Sequence, residues 1–451
     1  MKALALLAAA VGAAVLVGTA GASGTPLVIT TADGFTNSSS AHQTAVEPDS
    51  FSYGSTIVEA AQVGRFYDGG ASDIAFGTSL DGGHTWLRDR ISGLTKFRGN
   101  GPYDRVSDPS VAYDAKHGVW MIATLAIYDA SGVDSPTVAV VRSTDARHWQ
   151  APVAVATLGD LDKSWIVCDN WAGSPYYGHC YAEFDEDSNG DLIFMSTSTD
   201  GGLTWGAPKT TANSANGLGG QPLVRPNGTV VVPAIDGNEA NVIWFSSSNG
   251  GASWSSALTV AQIHDHFVPG GLRTDALPSA EVDGAGFIYL VWQDCRFRTS
   301  CTANDIVMSR FLGASWTPPV RIPIDSTTSG VDHFIPGIAV DPATSGGNAH
   351  LALTYYFYPV SSCTSSTCKL EVGFVSSTNG GTSWSNARTL AGPMKLSWLP
   401  PTSLGRMVGD YISTSFSGGL AYPFFSFAQA PASGGPAYNQ TIRTTASGLA
   451  P

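Results

Sequence analysis

Short apolar runs separated by turns rich in Gly, Ser and Asp fill the chain. Phe287-Ile288-Tyr289-Leu290-Val291-Trp292 and Asp305-Ile306-Val307-Met308 are typical, with Pro319-Val320-Arg321-Ile322 following one turn later. Runs this short, bounded by turn formers, predict β-strands. One apolar run recurs with an Asp or Asn at its end. It reads Pro109-Ser110-Val111-Ala112-Tyr113-Asp114, then Pro278-Ser279-Ala280-Glu281-Val282-Asp283, then Pro336-Gly337-Ile338-Ala339-Val340-Asp341. Looser copies are Pro222 to Asn227 and Ser164 to Asp169.

A second repeat punctuates these runs. Ser79-Leu80-Asp81-Gly82-Gly83-His84-Thr85-Trp86 returns at 198–205, 247–254 and 377–384, with worn copies at 143–149 and 309–316. Asp or Asn accepts hydrogen bonds from the backbone of its own turn. The Gly pair supplies positive φ, and the closing Trp buries its ring between neighbouring sheets. Two runs precede each such turn after the apolar repeat, and one follows it. Each unit is therefore four antiparallel strands, the make-up of a propeller blade.

The pattern Ser-x-Asp-x-Gly-x-Thr-Trp resembles the Asp-box, or bacterial neuraminidase repeat, of sialidase-like β-propellers. That resemblance covers nearly the whole chain and implies a fold more strongly than a reaction, because such propellers host many activities. It also implies that the boxes lie between third and fourth strands, away from the active site.

The expected fold is all-β: a propeller of four-stranded antiparallel blades, seven favoured and six the alternative. The seven units fall at about 51–97, 105–157, 163–212, 219–261, 275–324, 333–392 and 407–447. The last has no box and three strands. Pro26-Leu27-Val28-Ile29-Thr30-Thr31 stands alone near the start and is expected to supply its missing outer strand, closing the ring without a free edge.

Met1-Lys2 precedes an apolar run from Ala3 to about Val17, and Ala20-Gly21-Ala22 offers a cleavage site. This reads as a secretory signal peptide over 1–22, leaving a single propeller domain over 23–451 that is soluble, exported and monomeric. The six cysteines form three close pairs, Cys168 with Cys180, Cys295 with Cys301 and Cys363 with Cys368, the even count expected of disulfides in an exported protein. A net charge of −13 argues against nucleic acid and anionic membrane surfaces as partners.

Antiparallel order puts the boxes and the turns between first and second strands on one face. Loops between second and third strands, and between blades, lie on the other, which is the expected functional face. Residues just before each inner strand should ring its central channel. The binding set is Arg105, Lys163, Arg273, His333, Trp398, Arg406 and Asp410, and the catalytic set is Asp108, Asp275, Glu281 and Tyr411. Arg225, on an inner strand like Glu281, also qualifies as channel-facing. Each has a plainer reading as a solvated, ion-paired or core residue. By analogy with sialidases, Arg105, Arg273 and Arg406 form the cluster that holds a carboxylate, Tyr411 and Glu281 the nucleophile pair, and Asp108 or Asp275 the acid. Arg321-Ile322-Pro323 copies a sialidase motif but sits in an outer strand.

The function expected is a secreted glycoside hydrolase, exo-sialidase-like, acting on a glycan or polysaccharide. A non-catalytic glycan-binding propeller and a polysaccharide lyase are the alternatives. No cofactor is required. Asp185, Asp187, Asn189 and Asp191 follow the Asp-x-Asp-x-Asn spacing of a calcium loop, without the Glu at its twelfth position. A structural calcium ion and a plain Asp-rich hairpin turn are both open.

Overall fold

The computed structural model describes residues 25–130 and 132–451. The leader expected over 1–22 lies outside them. The described residues are strand and loop, broken by four short 3-10 turns. No helix among the described residues is long and apolar enough to cross a membrane.

Among the described residues five blade sheets stand alone, beside a two-stranded ribbon of Pro401–Thr402 and Gly405–Arg406. Four have four strands, with inner strands Leu161–Cys168, Ser279–Val282, Asp332–Val340 and Ser413–Ser417. The fifth has its inner edge split into Gly217–Leu218 and Leu223–Val224. The strands of the first two expected units instead share one eight-stranded sheet, joined by a single pairing of Ala71 with Val106. Free-standing blade sheets thus number five, a correction to the seven favoured and the six held in reserve. The physical reason is local. The third strand of the first unit, Ala71–Ser79, and the inner strand of the second, Arg105–Asp114, approach closely enough to exchange backbone bonds.

The inner strands touch one another in chain order, and Ser413–Ser417 returns to Ala41–Tyr53 to close the circle. Leu27–Ala32 pairs antiparallel with Gln440–Thr445 and forms the outer strand of the last sheet, ahead of Leu420–Ala428 and Ser413–Ser417. This is the role expected of it, and it ties the first described residues to the last.

Neighbouring sheets pack face to face through alternate apolar residues. Between the first two units, Val58, Ile74 and Phe76 meet Trp120, Ile122 and Val141. The repeated turns are stapled by their own side chains. The Asp81 carboxylate accepts the Thr85 N–H at 2.8 Å and the Thr85 hydroxyl at 2.6 Å, while the Ser79 hydroxyl accepts the Gly83 N–H at 2.8 Å. Asp200 repeats the arrangement, and Asn249 accepts the Ser253 N–H at 3.0 Å while its amide donates to the Ser253 hydroxyl at 2.8 Å. Gly83 has φ of 92°, and a Cβ there would lie 2.3 Å from the Tyr422 ring, so the turn needs glycine at that position.

All three disulfides form as paired in sequence. Cys168–Cys180 brackets a turn between first and second strands, and the other two stiffen loops between second and third strands. Three disulfides are compatible with an oxidising, extracellular setting.

Candidate functional site: a chamber in the central channel

The site begins as a backbone irregularity repeated around the ring. Inner strands slip register between Val46 and Asp49, Ser107 and Ser110, Asp162 and Trp165, and Phe334 and Pro336. Inside each slip one residue takes a left-handed conformation: Glu47 (φ 55°), Asp108 (46°), Lys163 (47°) and Ile335 (48°). Such bulges re-aim a side chain. For residues other than glycine the conformation costs roughly 1–2 kcal/mol, strain that concentrates at functional sites.

Three of the four carry ionisable groups, and these meet. Lys163 Nζ lies 3.3 Å from Asp108, 3.8 Å from Glu47 and 2.6 Å from Asp410. Asp410 also accepts the Arg273 guanidinium, with Nε at 2.7 Å and Nη2 on its second oxygen. Glu47 accepts the Asp410 N–H at 3.3 Å and the Gln62 amide. Gly409 makes the approach possible, since a Cβ there would fall 2.8 Å from the Glu47 nitrogen. The Lys163, Asp108, Glu47 and Asp410 side chains are at most 7% exposed.

Electrostatics sort these groups. Burial by itself would raise the Asp410 carboxyl, but the charges of Arg273 and Lys163 outweigh it and hold that carboxyl well below the usual range. Burial would neutralise Lys163, yet the neighbouring carboxylates, Asp108 and then Asp410, keep its ammonium charged. Glu47 is pushed up to about 8 by burial and by the neighbouring charge of Asp108. Burial, then Asp108, lifts Asp162 to about 6. The result is an ionised core of Lys163, Arg273 and Asp410 with a neutral Glu47 carboxyl beside it at neutral pH.

This network floors a chamber of about 670 Å³ running along the channel. Asp108, Lys163, Glu281 and Tyr411 line it, as do Asp49, Trp165, Trp171 and a row of serines. Burial, then the charge of Asp49, raises Glu281 to about 8, and burial raises Asp49 to about 7 against an opposing 2.7 Å bond from the Val111 N–H. The Tyr411 hydroxyl donates to Pro109 O at 3.1 Å across the ring, and its ring packs edge-on to Trp165. Burial, then Glu47 and Asp108, pushes Tyr411 well above the usual phenol range.

The chamber therefore gathers three of the four expected catalytic residues, with Lys163. Asp275 sits beside Arg273 on the loop side and outside the lining, with its carboxyl raised by burial and then by Asp410. Tyr411 and Glu281 share the chamber, but the charges around Tyr411 are Glu47, Asp108, Asp49 and Asp410, while Glu281 faces Asp49.

The remaining expectations need correction. Arg105 turns away from the centre to Asp68 and Asp129 and stacks 4.0 Å over Phe66, because acceptors and an aromatic face lie closer to it than the channel does. Arg406 donates to Leu399 O, and Arg225 donates to Gly286 O and covers Phe311. The arginine trio is thus not assembled; Arg65, Lys163 and Arg273 are the cations near Glu47 and Asp410. His333 is 1% exposed and packs on Tyr355 and Phe357 between sheets. Trp398 packs half-buried on the core of the last two sheets, with Lys395 over its ring. Asp185 is fully buried in the strand Cys180–Glu186, whereas Asp187 and Asn189 form an exposed 3-10 turn. Asp185 therefore points away from Asp187 and Asn189 of the expected calcium loop. Among the described residues one trio of candidate ligands converges, Asp305, Asp325 and His333, and Arg298 and Arg321 already pair with both of its carboxylates.

Glu47, Asp49 and Arg65 join the site without being among the residues expected there. A signal existed for the first two: Glu47-Pro48-Asp49 copies Asp108-Pro109-Ser110, one acid before a proline at the head of an inner strand. Arg65 ends an ordinary second strand and carries no such mark.

No family model matches the chain, and no curated protein matches it in sequence. Solved structures do resemble it. A protein of unknown function from Dyadobacter fermentans DSM 18053 is 16% identical, over 79% of this chain and 99% of its own, with a TM-score of 0.49. A Hadza microbial sialidase is 15% identical over 89% of this chain, which spans 66% of the sialidase's length, with a TM-score of 0.42. An ulvan lyase from a new family of polysaccharide lyases is 10% identical over 92% and 94%, with a TM-score of 0.49. Each likeness is distant, and the chain's own strand order is what establishes it as an all-β propeller.

Proposed function

We propose that the chain is a secreted carbohydrate-active propeller, a glycoside hydrolase working in the channel chamber. The observation that carries this is the set of groups around one space of about 670 Å³: the carboxyls of Asp49, Asp108 and Glu281, with Tyr411 and Lys163. Glycoside hydrolysis needs one carboxyl that keeps its proton to protonate the leaving oxygen and another group on the opposite side of the sugar. Glu281, held protonated to about 8, suits the first role. Asp108, held at 3.3 Å by Lys163, suits the second. Trp165 and Trp171 add aromatic surface to the lining for a sugar to pack against.

A glycan-binding propeller without turnover is the second reading, favoured by one observation. The Tyr411 hydroxyl is spent on Pro109 O and Lys163 on its carboxylates, so neither is free as a nucleophile or base.

A panel of oligo- and polysaccharides separates the two. Hydrolysis is expected to release reducing sugar, and Glu281→Gln to lower kcat by a factor of about 100 or more while the fold is kept. Retention on a glycan column without release, in the wild type, selects the binder. Release that is undiminished in Glu281→Gln removes the assignment of the acid.

A further inference from the structure

We propose that the chamber is a blind pocket, entered from the repeated-turn face, that takes the neutral end residue of a glycan chain. This deepens the reading above and rests on it. The sequence points to the opposite face, the one that carries the loops between blades.

The exposed residues of the lining are Tyr53, Gly54, Pro342, Ala343, Gly418 and Gly419. All six belong to the turns that join first to second strands, which share a face with the stapled turns; Gly82 N–H, for example, donates to Ser55 O at 2.8 Å. The long loops 263–275 and 396–409, which cover the other face, contribute nothing to the lining. At that end the chamber stops. There the Tyr411 hydroxyl bridges to Pro109 O, and Lys163 and Asp108 in the chamber wall bond to one another, Lys163 also bonding Asp410, which lies outside the lining and is backed by Arg273. A pocket open at one end admits the end of a chain and excludes an internal segment.

Charge selects the kind of end. Among the described residues of the lining Lys163 is the one cation, and it already contacts Asp108, Asp410 and Glu47. A sialate or uronate carboxylate entering the chamber would meet Asp108 with no free cation to receive it, since Lys163 is already paired, and burying an unpaired charge is costly. A neutral sugar meets hydroxyls, carboxyl groups able to bond its own hydroxyls, and the indoles of Trp165 and Trp171. The volume of about 670 Å³ lies within the range of about 300–1,000 Å³ usual for small-ligand sites.

The test is saturation-transfer NMR on the intact chain with methyl glycosides of glucose, galactose, glucuronate and N-acetylneuraminate. Three proteins are compared: the wild type, Ala343→Trp at the proposed mouth, and Phe267→Ser on the opposite face, where Phe267 is 80% exposed. Circular dichroism checks each fold, and Ala343→Arg replaces Ala343→Trp should the latter not fold. A neutral glycoside is expected to bind the wild type and Phe267→Ser alike, about tenfold or more weaker to Ala343→Trp, and about tenfold or more tighter than either acidic glycoside. Acidic glycosides binding as well as neutral ones would overturn the charge argument. Binding that survives the mouth substitution but is lost in Phe267→Ser would overturn the entrance. If no glycoside or oligosaccharide binds the wild type, the carbohydrate reading itself fails, and this inference with it.

Discussion

Replacing Lys163 with Met tests whether the ring is held at its centre by charge. Met keeps the length of the side chain and removes the ammonium. In the native chain Nζ stands 2.6 Å from Asp410 and 3.3 Å from Asp108, with every partner at most 7% exposed. At an effective dielectric of about 20 these two contacts have gross Coulomb energies of roughly 6 and 5 kcal/mol. Much of that offsets the desolvation of the ammonium itself. What the substitution exposes is the uncompensated remainder. Asp410 keeps Arg273, but Asp108 loses the cation that bonds it, in a buried setting with Glu47 near by. Breaking a buried pair from one side costs about 3–5 kcal/mol. Urea unfolding followed by tryptophan fluorescence reads this as a drop in midpoint at an unchanged m-value. Adding Asp108→Asn to Lys163→Met should recover about 1 kcal/mol or more, because the orphaned charge is gone. A loss below about 1 kcal/mol, or strict additivity of the two substitutions, would refute the idea that this network is a closed electrostatic unit.

Stability should rise on acidification. Folded Glu59 and Glu281 keep their protons to about 8, and Asp49 and Asp332 to about 7, all chiefly through burial, whereas unfolded carboxyls release theirs near pH 4. Between those limits the unfolded chain binds fewer protons, so stability falls as pH rises from about 4 to 8. Asp410 and Asp81 are shifted downward and reverse the trend in stronger acid. A Tm about 5 °C or more higher at pH 5 than at pH 8 is expected from thermal scans, and a maximum at pH 8 would contradict the burial argument. Asp200→Ala removes the acceptor of two backbone and two hydroxyl bonds in one stapled turn and should cost about 1–3 kcal/mol in chemical denaturation while leaving any glycan binding intact; weakened binding would place the turn in the site. Calcium and excess chelator should give the same Tm within about 1 °C, because Asp185 points into the sheet and away from Asp187; by linkage, a clear rise with calcium would reveal a site the geometry does not predict.

Much of the scaffold is legible in the chain because its signals are local. The stapled turns need only residues within eight positions of each other, and the observed bonds from Ser79, Asp81 and Thr85 are those their chemistry allows. The cysteine pairs close over five to twelve residues. The outer strand at Leu27–Ala32 was readable as a strand without a partner in a chain whose last unit was one strand short. The fusion of the first two units into one sheet was not, since it turns on a single contact between Ala71 and Val106.

By itself, then, the sequence determined the strands, the turns between them and the face on which those turns lie. It also brought Asp108, Lys163, Asp410 and Tyr411 to the ring's centre as candidates. Only the tertiary structure decided which of the candidates meet. Lys163 and Asp410 are 247 positions apart, and their contact depends on the ring closing. Left-handed bulges at Glu47, Asp108 and Lys163 aim those side chains inward, while Arg105, His333 and Arg406, equally promising on paper, find nearer partners and turn away. Charge and aromatic packing are settled by distances of a few ångströms, and residue spacing along a chain does not encode distances between blades.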